Sequence, residues 1–590
     1  MTTLHSRLLT IFAAATLLLF VAGGVSGALT LVHPQQGSHI IVMGENPSEP
    51  ERFAAAELGR YLEKIGGARL GTYRASQEFP AGQGERVILL GSAAPHSVWL
   101  ELSQKIEDAY IVRTVGSSLI LAGASPRATL YAVYDFLETL GVGFPRPGHS
   151  HLLTQRPEPL EREETIPRRT VIKVPPVDRM EIPSFSYRAM LPFPMIRDRS
   201  VREIDWVAKN RLNWVHLITN TDLSIWETEE VRDVLMPQIR KRGLHVQGIG
   251  HSFFAYIPIE KYGAEHPEYF AVIDGERAVD PKKHARGGLC VSNPEVVKLM
   301  AANMSAFLKQ NPEIEIIDLW TNDSAAWCAC KPCQEMQGLA PGANGRYSTT
   351  TRSYLRFVNQ VARILAKDHP KVMVNALAYA LNTLVDPETK PAANVIVGVA
   401  PWGRATYGGS DDYYTPITEP GPVNSTLHPT ILGWLELTSN FYLYDYYSNR
   451  SEFFPIMDTL RKDYAYYKTI GLDKVSTETF MWDEFNVWVY ARLAWDHTTP
   501  LKDLVSEFCR IAYRSGAEPM KSFYMELERK KWLWPQHRAE LAPLLAEAKS
   551  LAEAAFDPTV VAKIERLEMW LEKDPPKTWP HDNPPPPLGE

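Results

Sequence analysis

The 590-residue sequence has no long run of lysine or arginine, only one extended apolar stretch, and five cysteines. Without a basic run, and with a formal net charge of -7, the charge pattern points neither to nucleic acid nor to an anionic membrane. The apolar stretch, Leu8 to Ala22, follows His5 and Arg7 and is short for a membrane span. Behind it, Gly23-Gly24-Val25-Ser26-Gly27-Ala28 supplies small residues suited to signal peptidase. The expectation is a signal peptide over residues 1–28, cleaved on export, with no cysteine behind it to carry a lipid. No later segment approaches a membrane span, so the mature product should be periplasmic or secreted.

What is present suits a large globular protein: 45% of residues are hydrophobic and 22% charged. Aromatics make up 10%, with 15 Trp and 25 Tyr, and flat apolar faces with polar tips are what sugar rings stack against. Residues 29–148 read as a small α/β domain with no catalytic constellation. Short strands such as His39–Met43 and Val87–Leu90 accompany amphipathic helices over Glu51–Leu62 and Ala128–Leu140. Residues 149–182, rich in Pro, Arg and Glu, predict a linker.

From Phe185 onward short apolar runs alternate with helical patterns, the signature of parallel βαβ construction. Eight strands are predicted, at Phe185–Met190, Trp214–Ile218, His245–Ile249, Ile314–Trp320, Val372–Leu377, Val395–Val399, Phe441–Tyr444 and Lys474–Thr477. The predicted fold class is therefore α/β: a (β/α)8 barrel over residues 183–497, preceded by the small α/β domain and followed by a helical region, 498–573. A Pro-rich tail, 574–590, is predicted to be disordered.

A barrel of this kind carries its chemistry just past the carboxyl ends of its strands. Asn322 and Asp323 follow the fourth strand, Asp445 the seventh and Glu478 the eighth, and His251 follows the third. Candidate sugar contacts at the same end are Trp320, Tyr379, Trp402, Tyr444 and Trp482. Each also has a plain alternative: Asn-Asp-Ser turns chains or caps helices, and aromatics pack cores.

Several segments together resemble a known family. Ala54-Ala55-Ala56-Glu57-Leu58, Arg127 to Glu138, His266-Pro267-Glu268-Tyr269-Phe270-Ala271, Asn322-Asp323 with Cys328-Ala329-Cys330-Lys331-Pro332-Cys333, and Tyr490 to Asp496 are similar to bacterial proteins of glycoside hydrolase family 163. That resemblance implies an endo-β-N-acetylglucosaminidase acting on N-glycans. The amino-terminal part also resembles the non-catalytic domain that precedes the barrel in β-hexosaminidases and α-glucuronidases.

Glycoside hydrolysis usually needs two carboxyl groups, but an N-acetylated sugar can use its own acetamide as nucleophile. The enzyme then supplies an acid and a polar group that orients the acetamide. Asp323 suits the acid/base role and Asn322 the orienting role, with Asp445 and Glu478 as the reserves for a direct two-carboxylate mechanism. No cofactor is required for either route. Three functions stay open: a glycosidase for N-acetylglucosaminides, a glycosidase of other specificity such as an α-glucuronidase-like enzyme, and a non-catalytic carbohydrate-binding protein. In each the partner is a glycan or glycoprotein.

Four of the five cysteines crowd near the fourth strand, at Cys290, Cys328, Cys330 and Cys333, while Cys509 sits alone in the carboxyl-terminal helices. Export favours disulfides, whereas Cys-x-Cys-x2-Cys with Cys290 as fourth ligand would make a tetrahedral zinc site. Both readings are structural and require all four residues to converge.

Overall fold

A computed structural model describes residues 28–572 apart from 34–36, 80–85, 146–163, 193–196, 221, 286, 325, 343–347, 402–403, 405–414, 448–455, 480–483 and 531–534. The expected signal peptide (but for its last residue), the expected tail, Trp402 and Trp482 lie outside the described residues. The chain divides into two units, one of Met1–Phe144, Glu164–Pro183 and Gln238–Leu244, the other of Pro145–Glu163, Ser184–Pro237 and His245–Glu590.

The first unit is built on a six-stranded sheet. Thr72–Arg74, Ile40–Met43, Val87–Leu90 and Ser118–Gly123 run parallel, and Tyr110–Val115 and Asp178–Glu181 complete it in antiparallel pairing. Helix Glu49–Gly66 starts at a capping box in which Ser48 and Glu51 satisfy each other's backbone N–H groups. It stops at Gly67, whose φ of 73° suits a residue without a side chain. Helix Pro126–Thr139 starts on a Ser125 cap, and its Tyr134 hydroxyl donates to Glu57 on the first helix at 3.1 Å. The stretch expected to be a linker contributes Ile172–Val174, paired with Leu29–His33, and Asp178–Glu181. These strands are only three and four residues long and carry charges, so periodicity does not reveal them.

The second unit is a closed barrel of eight parallel strands: Tyr187–Pro192 (β1), Trp214–Ile218 (β2), His245–Ile249 (β3), Ile314–Asp318 (β4), Met373–Ala378 (β5), Val395–Val399 (β6), Phe441–Asp445 (β7) and Lys474–Thr479 (β8), which pairs back onto β1. Strands covered on both faces must be apolar nearly throughout, and β6, Val-Ile-Val-Gly-Val, is buried at every position. Gly398 has a separate reason. A Cβ there would lie 2.4 Å from the Tyr442 ring of β7, so only glycine lets that ring cross the barrel interior.

Helices Arg197–Lys209, Pro294–Gln310, Thr351–Leu365, Asn424–Leu437, Met457–Thr469 and Glu484–Trp495 alternate with the strands. Thr351–Leu365 docks through Tyr354, whose buried hydroxyl donates to Leu319 O at 2.8 Å and accepts from Leu377 N at 3.0 Å, tying the ends of β4 and β5 together. After the barrel come helices Leu501–Tyr513, Ala517–Lys530, Pro535–Ala554 and Pro558–Glu572. No helix among the described residues is long and apolar enough to cross a membrane.

Candidate active site

Successive residues of a strand point to opposite faces, so each barrel strand sends every second side chain inward. In four successive strands one inward position is polar: His216 on β2, Gln247 on β3, Asp318 on β4 and Asn375 on β5, all fully buried. They converge on the Asp318 carboxylate. His216 Nε2 lies 2.7 Å from Oδ2, Gln247 Nε2 donates to Oδ1 at 2.8 Å, and Asn375 Nδ2 donates to Oδ1 at 2.7 Å. The fourth donor is the backbone N–H of Gly250, 2.8 Å from Oδ2. Tyr442 on β7 accepts from both amides, at 3.2 Å from Gln247 and 2.8 Å from Asn375.

This layer fixes the turn that leaves β3. Ile249 has a φ of 109° and Gly250 one of 91°; a β-branched residue at positive φ is strained. The turn is held by the Gly250 bond to Asp318 and by Asn220 Oδ1, which accepts from His251 N at 3.1 Å. The conformation places His251 on the rim. Its Nδ1 lies 2.6 Å from Thr321 O, and since a carbonyl only accepts, Nδ1 carries the proton.

Above that layer lies the rim. His251 packs edge-on to Trp320 at 5.5 Å, Trp320 edge-on to Tyr444 at 5.7 Å, and the Tyr444 hydroxyl donates to Glu478 Oε2 at 3.1 Å. Burial pushes the Tyr444 phenol well above its usual pKa and the Glu478 carboxylate adds to this, so the hydroxyl stays a donor. On the other side His251 lies 6.2 Å from the Tyr379 ring, whose hydroxyl donates to Asp323 Oδ1 at 3.3 Å. Asp323, His251, Trp320, Tyr379, Tyr444 and Glu478 thus form one continuous arc of contacts at the carboxyl ends of β3, β4, β5, β7 and β8. Asp323 is exposed and Glu478 half-buried.

Asn322 and Asp445 do not face this arc in the way expected. Asn322 is buried, and its Nδ2 donates to Gly287 O at 2.6 Å in the loop between β3 and β4. That bond commits its amide nitrogen to holding two loops together. Asp445 follows Tyr444 directly, so alternation turns it away from the barrel interior; it is fully buried beside Arg404, Asp463 and Tyr447. Burial raises its pKa to about 6, with the attraction of Arg404 as the main opposing influence. Asp463 belongs to helix Met457–Thr469 and pairs with Arg404 at 2.8 Å, so Asp445 sits in a buried charged cluster behind β7. Two buried polar atoms near the rim have no hydrogen-bond partner among the described residues, Trp320 Nε1 and Asn322 Oδ1.

The four clustered cysteines do converge, with all four sulfurs within 4.8 Å of one another, and none is in a disulfide. Cys509 stands apart as a buried free thiol, and burial pushes its pKa up.

No curated protein matches the sequence. Among solved structures, a GH138 enzyme targeting pectin rhamnogalacturonan II is similar at 10% identity and a TM-score of 0.49 over 84% of this chain, which spans only 55% of that enzyme. The β-N-acetylhexosaminidase from Bacteroides fragilis NCTC 9343 is similar at 11% identity and a TM-score of 0.47, covering 80% of this chain and 89% of the other. The Streptomyces plicatus N-acetyl-β-hexosaminidase is similar at 13% identity and 0.49, covering 85% and 94%. The family described as Domain of unknown function (DUF4838) matches residues 160–526, more than half of the chain, and the protein belongs to that family.

Proposed function

We propose that the protein is a glycoside hydrolase that cleaves N-acetylglucosaminides in glycans with retention, using the substrate's acetamide as nucleophile. The observation that carries the proposal is the rim arc: two carboxylates from different strand ends, Asp323 and Glu478, joined by Tyr379, His251, Trp320 and Tyr444. A row of aromatic edges between two carboxylates suits a sugar ring, and Trp320 Nε1, buried without a partner among the described residues, is a donor that a ligand hydroxyl would satisfy. The sugar class rests on the resemblance to glycoside hydrolase family 163.

The surroundings support one assignment of roles. Asp323, exposed at the mouth, donates its proton to the leaving glycosidic oxygen as the acetamide oxygen attacks the anomeric carbon, giving an oxazolinium. Asp323 then takes a proton from the water that opens it, which restores the original configuration. Glu478, held by the Tyr444 hydroxyl, accepts the acetamide N–H and stabilises the positive charge that develops on the ring. Asn322 serves this scheme by fixing the loop that carries Asp323, since its amide is bonded to Gly287.

The discriminating experiment is inhibition by a thiazoline that mimics the oxazolinium, because only acetamide participation makes that shape complementary to the transition state. Turnover of an N-acetylglucosaminide with no sensitivity to the thiazoline would replace this mechanism by a direct one in which Glu478 attacks.

A further inference from the structure

Cys290, Cys328, Cys330 and Cys333 come from three places in the chain: the segment before helix Pro294–Gln310 in the long β3–β4 connection, the loop after β4, and the first turn of helix Lys331–Gln337, which Cys330 precedes as N-cap. Cys290 Sγ lies 3.6 Å from Cys330 Sγ and 3.9 Å from Cys333 Sγ. A disulfide would bring two sulfurs to about 2.05 Å. Four thiolates on one tetrahedral zinc, at Zn–S of about 2.3 Å, sit about 3.8 Å apart along each edge. The observed separations match that edge.

We propose that these four cysteines bind one structural zinc ion that fixes the loop carrying Asn322 and Asp323. Cys290 is 4% exposed, Cys328 and Cys333 are fully buried and Cys330 is half-buried, and four sulfur ligands leave no open position for a catalytic water. The surroundings supply what a tetrathiolate needs, because four thiolates and Zn2+ together carry two negative charges. The Val272 N–H donates to Cys328 Sγ at 3.3 Å, and the Arg277 side chain, bonded to Phe270 O at 2.6 Å, also reaches Cys290.

Both donors sit on the small hairpin Val272–Ile273 and Glu276–Arg277. That hairpin also accepts Ala329 N on Val272 O at 2.8 Å. The ion therefore joins the hairpin, the loop after β4 and the helix that follows. The same two loops meet again where Asn322 Nδ2 donates to Gly287 O; Gly287 lies three residues before Cys290, and Asp323 five residues before Cys328. A short closed loop of this kind leaves Asp323 little freedom once its end is clamped.

The test is metal analysis of the full chain purified without chelator or reductant, followed by titration with an organomercurial in the presence of a chromophoric zinc indicator. One zinc per chain, released as the clustered thiols react, is the expected result. Cys328→Ser and Cys333→Ser should lower zinc affinity by more than the ~10–100-fold typical of losing an outer-shell partner. Should those variants fail to fold, the wild-type protein still decides, since cobalt exchange into a tetrathiolate site gives sulfur-to-cobalt charge-transfer absorption. Metal-free protein, iron in place of zinc, or cysteines paired as disulfides by intact mass would each overturn the proposal.

Discussion

The Tyr444 hydroxyl donates to Glu478 Oε2 at 3.1 Å and so ties together the carboxyl ends of β7 and β8. A neutral donor fixed on a carboxylate sets its direction and favours its charged form, which is what a group stabilising an oxazolinium requires. Tyr444→Phe removes the hydroxyl and keeps the ring against Trp320. Steady-state kinetics on an aryl N-acetylglucosaminide should show kcat falling about tenfold to a hundredfold, the ~1.5–3 kcal/mol of a hydrogen bond to a charged group. An unchanged kcat would remove Glu478 from the reaction.

Asp323→Asn and Glu478→Gln should separate by leaving group. Loss of a general acid costs about 10²–10⁴ in rate, but a good leaving group needs little protonation. Asp323→Asn should therefore be far less impaired in forming the intermediate from a dinitrophenyl glycoside than in cleaving a glycan. Glu478→Gln should be impaired on both. Equal losses of Asp323→Asn on the two substrates would assign the acid elsewhere.

Asp318→Ala would leave His216, Gln247, Asn375 and the Gly250 N–H without their shared acceptor inside a closed barrel. Breaking a buried network of this kind costs on the order of 3–5 kcal/mol, and urea unfolding should show it. Asp318→Asn keeps the shape and part of the acceptor capacity and should cost less. If both variants unfold at the wild-type midpoint, the layer does not support the rim.

Asp445 gives a pH-dependent prediction. Burial raises its pKa from 3.8 to about 6, so the folded state binds the proton more tightly than the unfolded chain. A raised carboxyl stabilises the fold relative to its charged form fully below about pH 4, and that contribution is lost as pH rises through about 6. Asp445→Asn keeps the bond from Tyr446 N and removes the titration. Its stability relative to wild type should rise between pH 4 and 7 by on the order of 2–3 kcal/mol in chemical denaturation. A difference that stays flat across that range would mean that Asp445 titrates alike in both states.

All eight barrel strands were legible because strands covered on both faces must be short apolar runs, and they differ from expectation by no more than two residues at an end. The fourth stops at Asp318 instead of reaching Trp320, which rejoins His251 only as an isolated bridge. Less visible were Ile172–Val174 and Asp178–Glu181, too short and too charged to stand out from a Pro-rich segment.

The buried layer around Asp318 was missed although a signal existed. His216 and Asn375 are each the one polar residue of their strand, while Gln247 and Asp318 lie in strands that also carry His245 and Glu315, and only the closed barrel brings the four to one level. Asp445 was misplaced for a reason the sequence does contain, since it is adjacent to Tyr444 and neighbours in a strand face opposite ways. The Asn322 bond to Gly287 spans 35 residues and depends on loop geometry that periodicity does not encode.

The measurement that tests the central claim most directly is the mass of products released from a pool of complex and high-mannose N-glycans by the wild-type chain, with Asp323→Asn and Glu478→Gln alongside. Cleavage at N-acetylglucosamine linkages by the wild type is expected, with a loss of about 10²-fold or more in each variant. No release by the wild type, or release at the wild-type rate by both variants, would contradict that claim.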